Sequence, residues 1–178
     1  MTTKMLIIGG LVAAVAALAI VYARLEKHPI YGACYGLAKL LRGPLDVGPV
    51  DFARLTRHAT GNDALICPPG LCAEAEPDGE AKVYDVTLDR LLERLKTIAL
   101  AEPNTEMLEC GVGCAHVARF VQRTRVMRFP DTIDVEVYAA GTGKSTLAVY
   151  SRSLVGRRDF GVNRARVARW LAELDKQL

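Results

Sequence analysis

The 178-residue chain has one tryptophan, Trp170, and aromatics make up only 6% of it. A core of Val, Leu, Ile and Ala is therefore expected. The formal net charge is only +3, too small to argue for nucleic acid as a partner. Internal repeats and low-complexity tracts are absent, which excludes solenoids and compositionally biased linkers. The histidines His28, His58 and His116 lie far apart, and none has a nucleophile at an interpretable spacing. No catalytic residue is assigned. A phosphate loop is also missing. Gly141-Thr-Gly-Lys-Ser-Thr146 imitates one, but the earlier glycine that the pattern requires is replaced by Tyr138. The segment leads into an alternating run, Leu147 to Tyr150, so it predicts a hairpin turn rather than a nucleotide cradle.

One long apolar run is present. Met5 to Ala23 carries no charge and is about 19 residues long, enough to cross a bilayer core of roughly 30 Å. Lys4 and Arg24 flank it, and Tyr22 sits at an interfacial position. Ala17-Leu18-Ala19 offers a signal-peptidase pattern, but the run continues past it through Ile20 and Val21. The reading is an uncleaved single-pass anchor over residues 1–24, touching the lipid bilayer through residues 5–23. A juxtamembrane linker over 25–50 and a compact domain over 51–178 follow. Hydrophobic residues at 51% fit a folded domain plus one such segment.

Charge is unevenly placed. From Asp51 to His116 acids exceed bases by roughly six, and from Arg119 to Leu178 bases exceed acids by roughly six. Two complementary faces of one domain account for this; a basic surface meeting anionic headgroups is the sharper reading.

The domain reads as helix, strands, helix. Thr87 is an N-cap, and Leu88, Leu91, Leu92, Leu95 and Ala99 share one helical face. Pro103-Asn104 ends that helix. Val117 to Phe129 predicts a strand with a bulge, and Phe129-Pro-Asp a turn. Ile133, Val135 and Val137 alternate with Asp134, Glu136 and Tyr138. A last helix begins near Asn163, which is expected to cap it. Val167, Trp170, Leu171, Leu174 and Leu178 form its stripe, with Arg169 and Glu173 paired outside. Together these predict an α+β domain, an antiparallel sheet covered on one face by two helices. The other face is left to be covered, solvated or used for binding.

Two cysteine pairs stand on turn-forming residues, Cys67-Pro-Pro-Gly-Leu-Cys72 and Cys110-Gly-Val-Gly-Cys114, with Cys34 left over. Disulfides are the first reading, in three possible connectivities. Free thiols and zinc, with His116 as a further ligand, remain alternatives. Disulfides imply an oxidising compartment. The basic residues after the apolar run argue the opposite orientation under the positive-inside rule. The cysteine argument is preferred, giving an inner-membrane protein with its domain on the periplasmic side.

The densest segment is Ser151-Arg-Ser-Leu-Val-Gly156-Arg-Arg-Asp-Phe-Gly161-Val-Asn163-Arg-Ala-Arg166. It leaves a strand, turns on two glycines and enters a helix. Asp159 is placed to pair with Arg152 or Arg166. Structurally it is a strand-to-helix latch. Functionally, Arg152, Asp159, Asn163 and Arg166 are candidate anion-binding residues, because arginines and helix N-termini attract phosphate or carboxylate.

Ser151-Arg152-Ser153, Gly156, Asp159, Gly161-Val162-Asn163, Arg166 and Trp170-Leu171 resemble the bacterial and plastid family called domain of unknown function 1499. Thr124 and Arg128-Phe129-Pro130-Asp131 fit its preceding strand and turn, and Asn62-Asp63-Ala64-Leu65 its opening segment. The likeness runs over roughly Asp51 to Leu174. An N-terminal anchor or export signal is common in such proteins, so the resemblance implies an exported domain; no catalytic residue carries over from it. The expected function is a non-catalytic, membrane-tethered envelope protein that binds a membrane protein partner or supports an assembly. A lipid or hydrophobic-ligand binding domain is the alternative, and an unannotated hydrolase the third reading.

Overall fold

The computed structural model describes residues 46–57, 61–109, 114–125, 128–154 and 160–178. The expected anchor over 5–23 lies outside them. Among the described residues no helix is long and apolar enough to cross a membrane.

Six strands form one sheet: β1 (Asp63–Cys67), β2 (Gly79–Glu80), β3 (Thr105–Leu108), β4 (Val117–Arg123), β5 (Pro130–Ala139) and β6 (Ser145–Ser153), in the order β2-β1-β6-β5-β4-β3. All neighbours are antiparallel except β1 and β2, which run parallel. The sheet is therefore mixed, not wholly antiparallel as expected. The chain returns from β1 to β2 through the cysteine loop, and a loop of that length permits a parallel crossover. Helix α1 (Leu88–Ala101) precedes β3, and α2 (Val162–Gln177) ends the domain.

Helix α1 forms for the reasons its sequence suggests; on α2 the expected cap changes, and Leu178, expected in the stripe, is exposed beyond the helix end. Thr87 caps α1, accepting from the Arg90 N–H, and Leu91, Leu92, Leu95, Ile98 and Ala99 are buried. On α2 the buried stripe is Val167, Trp170 and Leu174. Both stripes pack on Ala64 of β1, Ala118 and Phe120 of β4, Ile133, Val135 and Val137 of β5, and Leu147 and Val149 of β6. Trp170 meets Phe120 edge-to-face with ring centroids 5.6 Å apart.

The opposite face follows from strand alternation. Leu65 and Cys67 of β1, with Ala148 and Tyr150 of β6, point away from the helices into a second cluster. Phe52 and Leu55, in and just after a 3₁₀ turn (Phe52–Arg54), and Cys72 and Ala75, from the chain between β1 and β2, cover it.

Three local expectations change. Strand β4 ends at Arg123, and its pairing with β5 runs one-for-one from Val117↔Glu136 to Arg123↔Pro130, without a bulge. The turn lies earlier than Phe129-Pro-Asp. The Thr124 N–H donates to the Phe129 carbonyl (2.9 Å), and the Phe129 N–H donates to Thr124 Oγ1 (2.9 Å). Pro130 and Asp131 already belong to β5. The Arg169–Glu173 pair does not form: Arg169 reaches Glu102 (2.9 Å), and Glu173 pairs with Lys176 (3.0 Å). The hairpin at Gly141 to Lys144 is as expected, joining β5 to β6. The Ala140 N–H donates to the Lys144 carbonyl, and Lys144 pairs with Asp85 at 2.9 Å.

Candidate functional site

The terminal motif builds a polar cluster on the helix-covered face. Strand register places Gln122 beside Asp131, and Asp131 beside Ser153, so one polar row crosses β4, β5 and β6. The next row holds Ile133 and Ser151. Helix α2 lowers Asn163 and, one turn on, Arg166 onto these rows. The Arg166 guanidinium donates to Asp131 Oδ2 (2.6 Å), Gln122 Oε1 (2.5 Å), Ser151 Oγ (2.8 Å) and Asn163 Oδ1 (2.6 Å). Asn163 donates through Nδ2 to the Asn62 carbonyl (3.0 Å) and to Ser153 Oγ (2.9 Å). Arg166 is 2% exposed and Asn163 is fully buried.

This placement corrects one expectation. Asn163 is not the N-cap of α2. Gly161 is, in the left-handed region at φ 79°, with no side-chain cap bond. Glycine takes that conformation without the steric cost a side chain brings. Asn163 instead spends its amide on β6 and the chain before β1. Arg166 takes Asp131 as its acid; Asp159 lies outside the described residues.

The cluster has little reactive chemistry. Ser151 Oγ donates to Asn163 Oδ1 (2.6 Å), an amide oxygen too weakly basic to activate a hydroxyl. His116 stands exposed just before β4, at the opposite end of that strand from Gln122. His28 and His58 lie outside the described residues. What the cluster does is satisfy a buried charge, and so fix how α2 docks.

Arg152 belongs to the other face. It stacks over the Tyr150 ring at 5.5 Å and donates to Thr132 Oγ1 (3.3 Å) and the Gly48 carbonyl (3.3 Å). Beside it, Arg119 donates through Nε to Asp134 Oδ1 (2.7 Å). Its two terminal nitrogens grip the Asp46 carboxylate at 2.6 and 3.1 Å. The Arg119 bond holds the Asp46 carboxyl below its ordinary range, against the opposing effect of partial burial. Burial pushes the Asp134 carboxyl upward, against the pull of Arg119. Asp134 Oδ2 has no hydrogen-bond partner, and Arg152 Nη2 stands 3.9 Å away. A second network continues this face. The Tyr150 hydroxyl donates to Asp63 (2.7 Å), Asp63 accepts from Arg57 (2.6 Å), and Asp78 accepts from Arg57 (3.0 Å) and Arg164 (2.7 Å).

Sequence reasoning did not single out Asp46, Arg119 or Asp134. The available signal was charge inside strands: Arg119 stands in an apolar stretch of β4, where an unpaired cation is costly.

The cysteine loop is closed. Cys67 and Cys72 form a disulfide, with Cα atoms 6.3 Å apart. Cys114 is also disulfide-bonded, whereas Cys110 lies outside the described residues. A bonded pair offers no thiolate to zinc, and no group of three or more metal-ligating side chains occurs among the described residues.

Between the helices, Ile98, Ala101 and Glu102 of the α1 end face Arg169, Trp170 and Glu173 across an open cleft of about 510 Å³. Burial raises the Glu102 carboxyl, but bonds from Arg169 and Gln122 outweigh it and hold it below its ordinary range. The cleft rim is charged.

Comparison with known proteins agrees with the terminal motif. No curated protein matches the chain. A family model described as a protein of unknown function, DUF1499, matches residues 67–174. That span starts later than the Asp51 expected. It holds α1, strands β2 to β6, α2 as far as Leu174, and the Ser151, Asn163 and Arg166 cluster. Because the match takes in more than half of the sequence and the motif that docks α2, the chain belongs to the DUF1499 family.

Proposed function

We propose that the protein is a non-catalytic, membrane-tethered envelope protein whose domain binds a protein partner or supports a membrane assembly. One observation carries this reading. The motif residues Ser151, Asn163 and Arg166 are spent on one another and on Asp131 inside the domain. Side chains consumed in docking a helix are not free to turn over a substrate.

The tether rests on Met5 to Ala23. Placement outside the cytoplasm rests on the Cys67–Cys72 disulfide and the oxidising surroundings it needs. The lipid-binding alternative requires room between the sheet and α2. Val167, Trp170 and Leu174 fill that space against Phe120 and Ile133.

Affinity purification of the full-length chain from native membranes in mild detergent tests the proposal, with both proteins and lipids identified. A stoichiometric protein partner is expected. Co-purification of a defined lipid alone overturns the interaction reading. Thiol labelling of intact cells, before and after reduction, tests the compartment. Free thiols shielded by the inner membrane would sink the periplasmic placement.

A further inference from the structure

We propose that Arg119 and Arg152 form a carboxylate-binding site on the sheet face away from the helices, and that Asp46 occupies it in place of an acidic partner segment. This deepens the interaction reading by naming a surface and the chemistry of what it takes.

Several observations converge. Arg119 is only 4% exposed, yet it presents both terminal nitrogens to one carboxylate, the paired geometry that a planar guanidinium offers a planar acid. That carboxylate arrives from 73 residues away in sequence, on a stretch with no regular secondary structure. The Asp46 side chain is 38% exposed, so the site opens to solvent at its occupant. Arg152 holds the same stretch through the Gly48 carbonyl and adds its positive charge to the Asp46 environment.

Charge gives the specificity. Arg119, Arg152, Asp46 and Asp134 sum to zero. If Asp46 leaves, two guanidiniums face one aspartate, Asp134, which is buried and has an oxygen lacking any hydrogen-bond partner. The vacated position then carries one uncompensated positive charge and two free donors aimed outward. An anion with two coplanar oxygens restores both. A glutamate or aspartate of a partner segment supplies that group, and the strap of residues 46–50 is the piece that gives way.

A competitor within the chain lowers apparent affinity by the fraction of molecules whose site is open. Removing the competitor therefore exposes the site to added ligand. The test uses the full-length chain in mild detergent, with Asp46→Asn as the opened form and Trp170 fluorescence reporting thermal unfolding. Sodium acetate should raise the Tm of Asp46→Asn by about 2–4 °C beyond its effect on wild type, at ionic strength matched with chloride. In Asp46→Asn with Arg119→Lys, which keeps the charge and loses the fork, that gain should vanish. A labelled hexaglutamate peptide should bind Asp46→Asn about tenfold more tightly than wild type.

Equal acetate effects on wild type and Asp46→Asn overturn the proposal. So does a gain that survives Arg119→Lys, since charge alone would then explain it. Stronger stabilisation by inorganic phosphate than by acetate overturns the carboxylate assignment. Failure here leaves the interaction reading standing on its purification test. Acetate rescue with no co-purified protein sinks the interaction reading and keeps the site.

Discussion

Arg166 and Asp131 meet at 2.6 Å in the interior, the arginine from α2 and the aspartate from the start of β5. Their side chains are 2% and 4% exposed. Neither charge is tolerable there alone, so the helix and the strand hold one another in register.

Removing the cation should be severe. Arg166→Met leaves Asp131 buried without its partner, and breaking such a pair typically costs about 3–5 kcal/mol. Adding Asp131→Asn should recover part of the loss by removing the stranded charge. Urea unfolding followed by Trp170 fluorescence measures both variants. A single variant within about 1 kcal/mol of wild type would contradict the docking role assigned to Arg166.

Asn163 makes a second demand on the same helix. As an N-cap, its loss would cost about 1 kcal/mol. As a buried bridge, Asn163→Ala strips a donor from the Asn62 carbonyl and an acceptor from Ser151 and Arg166. Each unmet buried group costs about 1–3 kcal/mol, so the total should exceed the cap value. Equilibrium denaturation decides between them. A loss no larger than a cap would return Asn163 to the peripheral role its sequence position suggests.

Much of the architecture was legible. Periodic stripes marked α1 and α2, clean alternation marked β5, and the broken glycine pattern marked a hairpin. The rest depended on what lies beside what. Nothing local distinguishes a cap asparagine near Gly161 from one reaching β6, because the answer is set by strand register. Strand β3, four residues long with its middle exposed, lacks the alternation that would announce it. Strand β2 has two residues. Asp46 sits in what reads as linker, and its partner Arg119 is named only once β4 is folded.

Acid should act on the face away from the helices through Asp46. Its folded-state pKa lies below the ordinary 3.8, chiefly because Arg119 binds the ionised form. Its stabilisation is therefore present above about pH 4 and is lost as pH falls through the lowered value. Asp134 has the opposite sign. Its folded pKa is raised by burial, so its contribution is fully present below 3.8 and fades as pH rises through the raised value. Wild type should exceed Asp46→Asn in stability at pH 7, and the gap should narrow toward pH 3. Denaturation at the two pH values checks this. A gap that widens in acid would contradict the Asp46–Arg119 assignment.

Trp170 separates volume from polarity. It is 1% exposed, packs against Phe120, and sits where both helices meet the sheet. Trp170→Ala empties a space the surrounding strands cannot fill, which should cost about 3–5 kcal/mol. Its indole N–H lies toward Glu102 without a hydrogen bond of good geometry. That donor is a cost the fold already bears, and Trp170→Phe removes it while keeping an aromatic edge for Phe120. The lost ring volume and the lost unmet donor act in opposite directions. Trp170→Phe should therefore fall within about 1.5 kcal/mol of wild type, far from the alanine variant. Far-ultraviolet circular dichroism supplies the readout, since the fluorescent probe is gone in both variants. If phenylalanine cost as much as alanine, the indole nitrogen would be making a bond that holds α1 to α2, and the meeting of the helices would be a polar joint rather than a packed one.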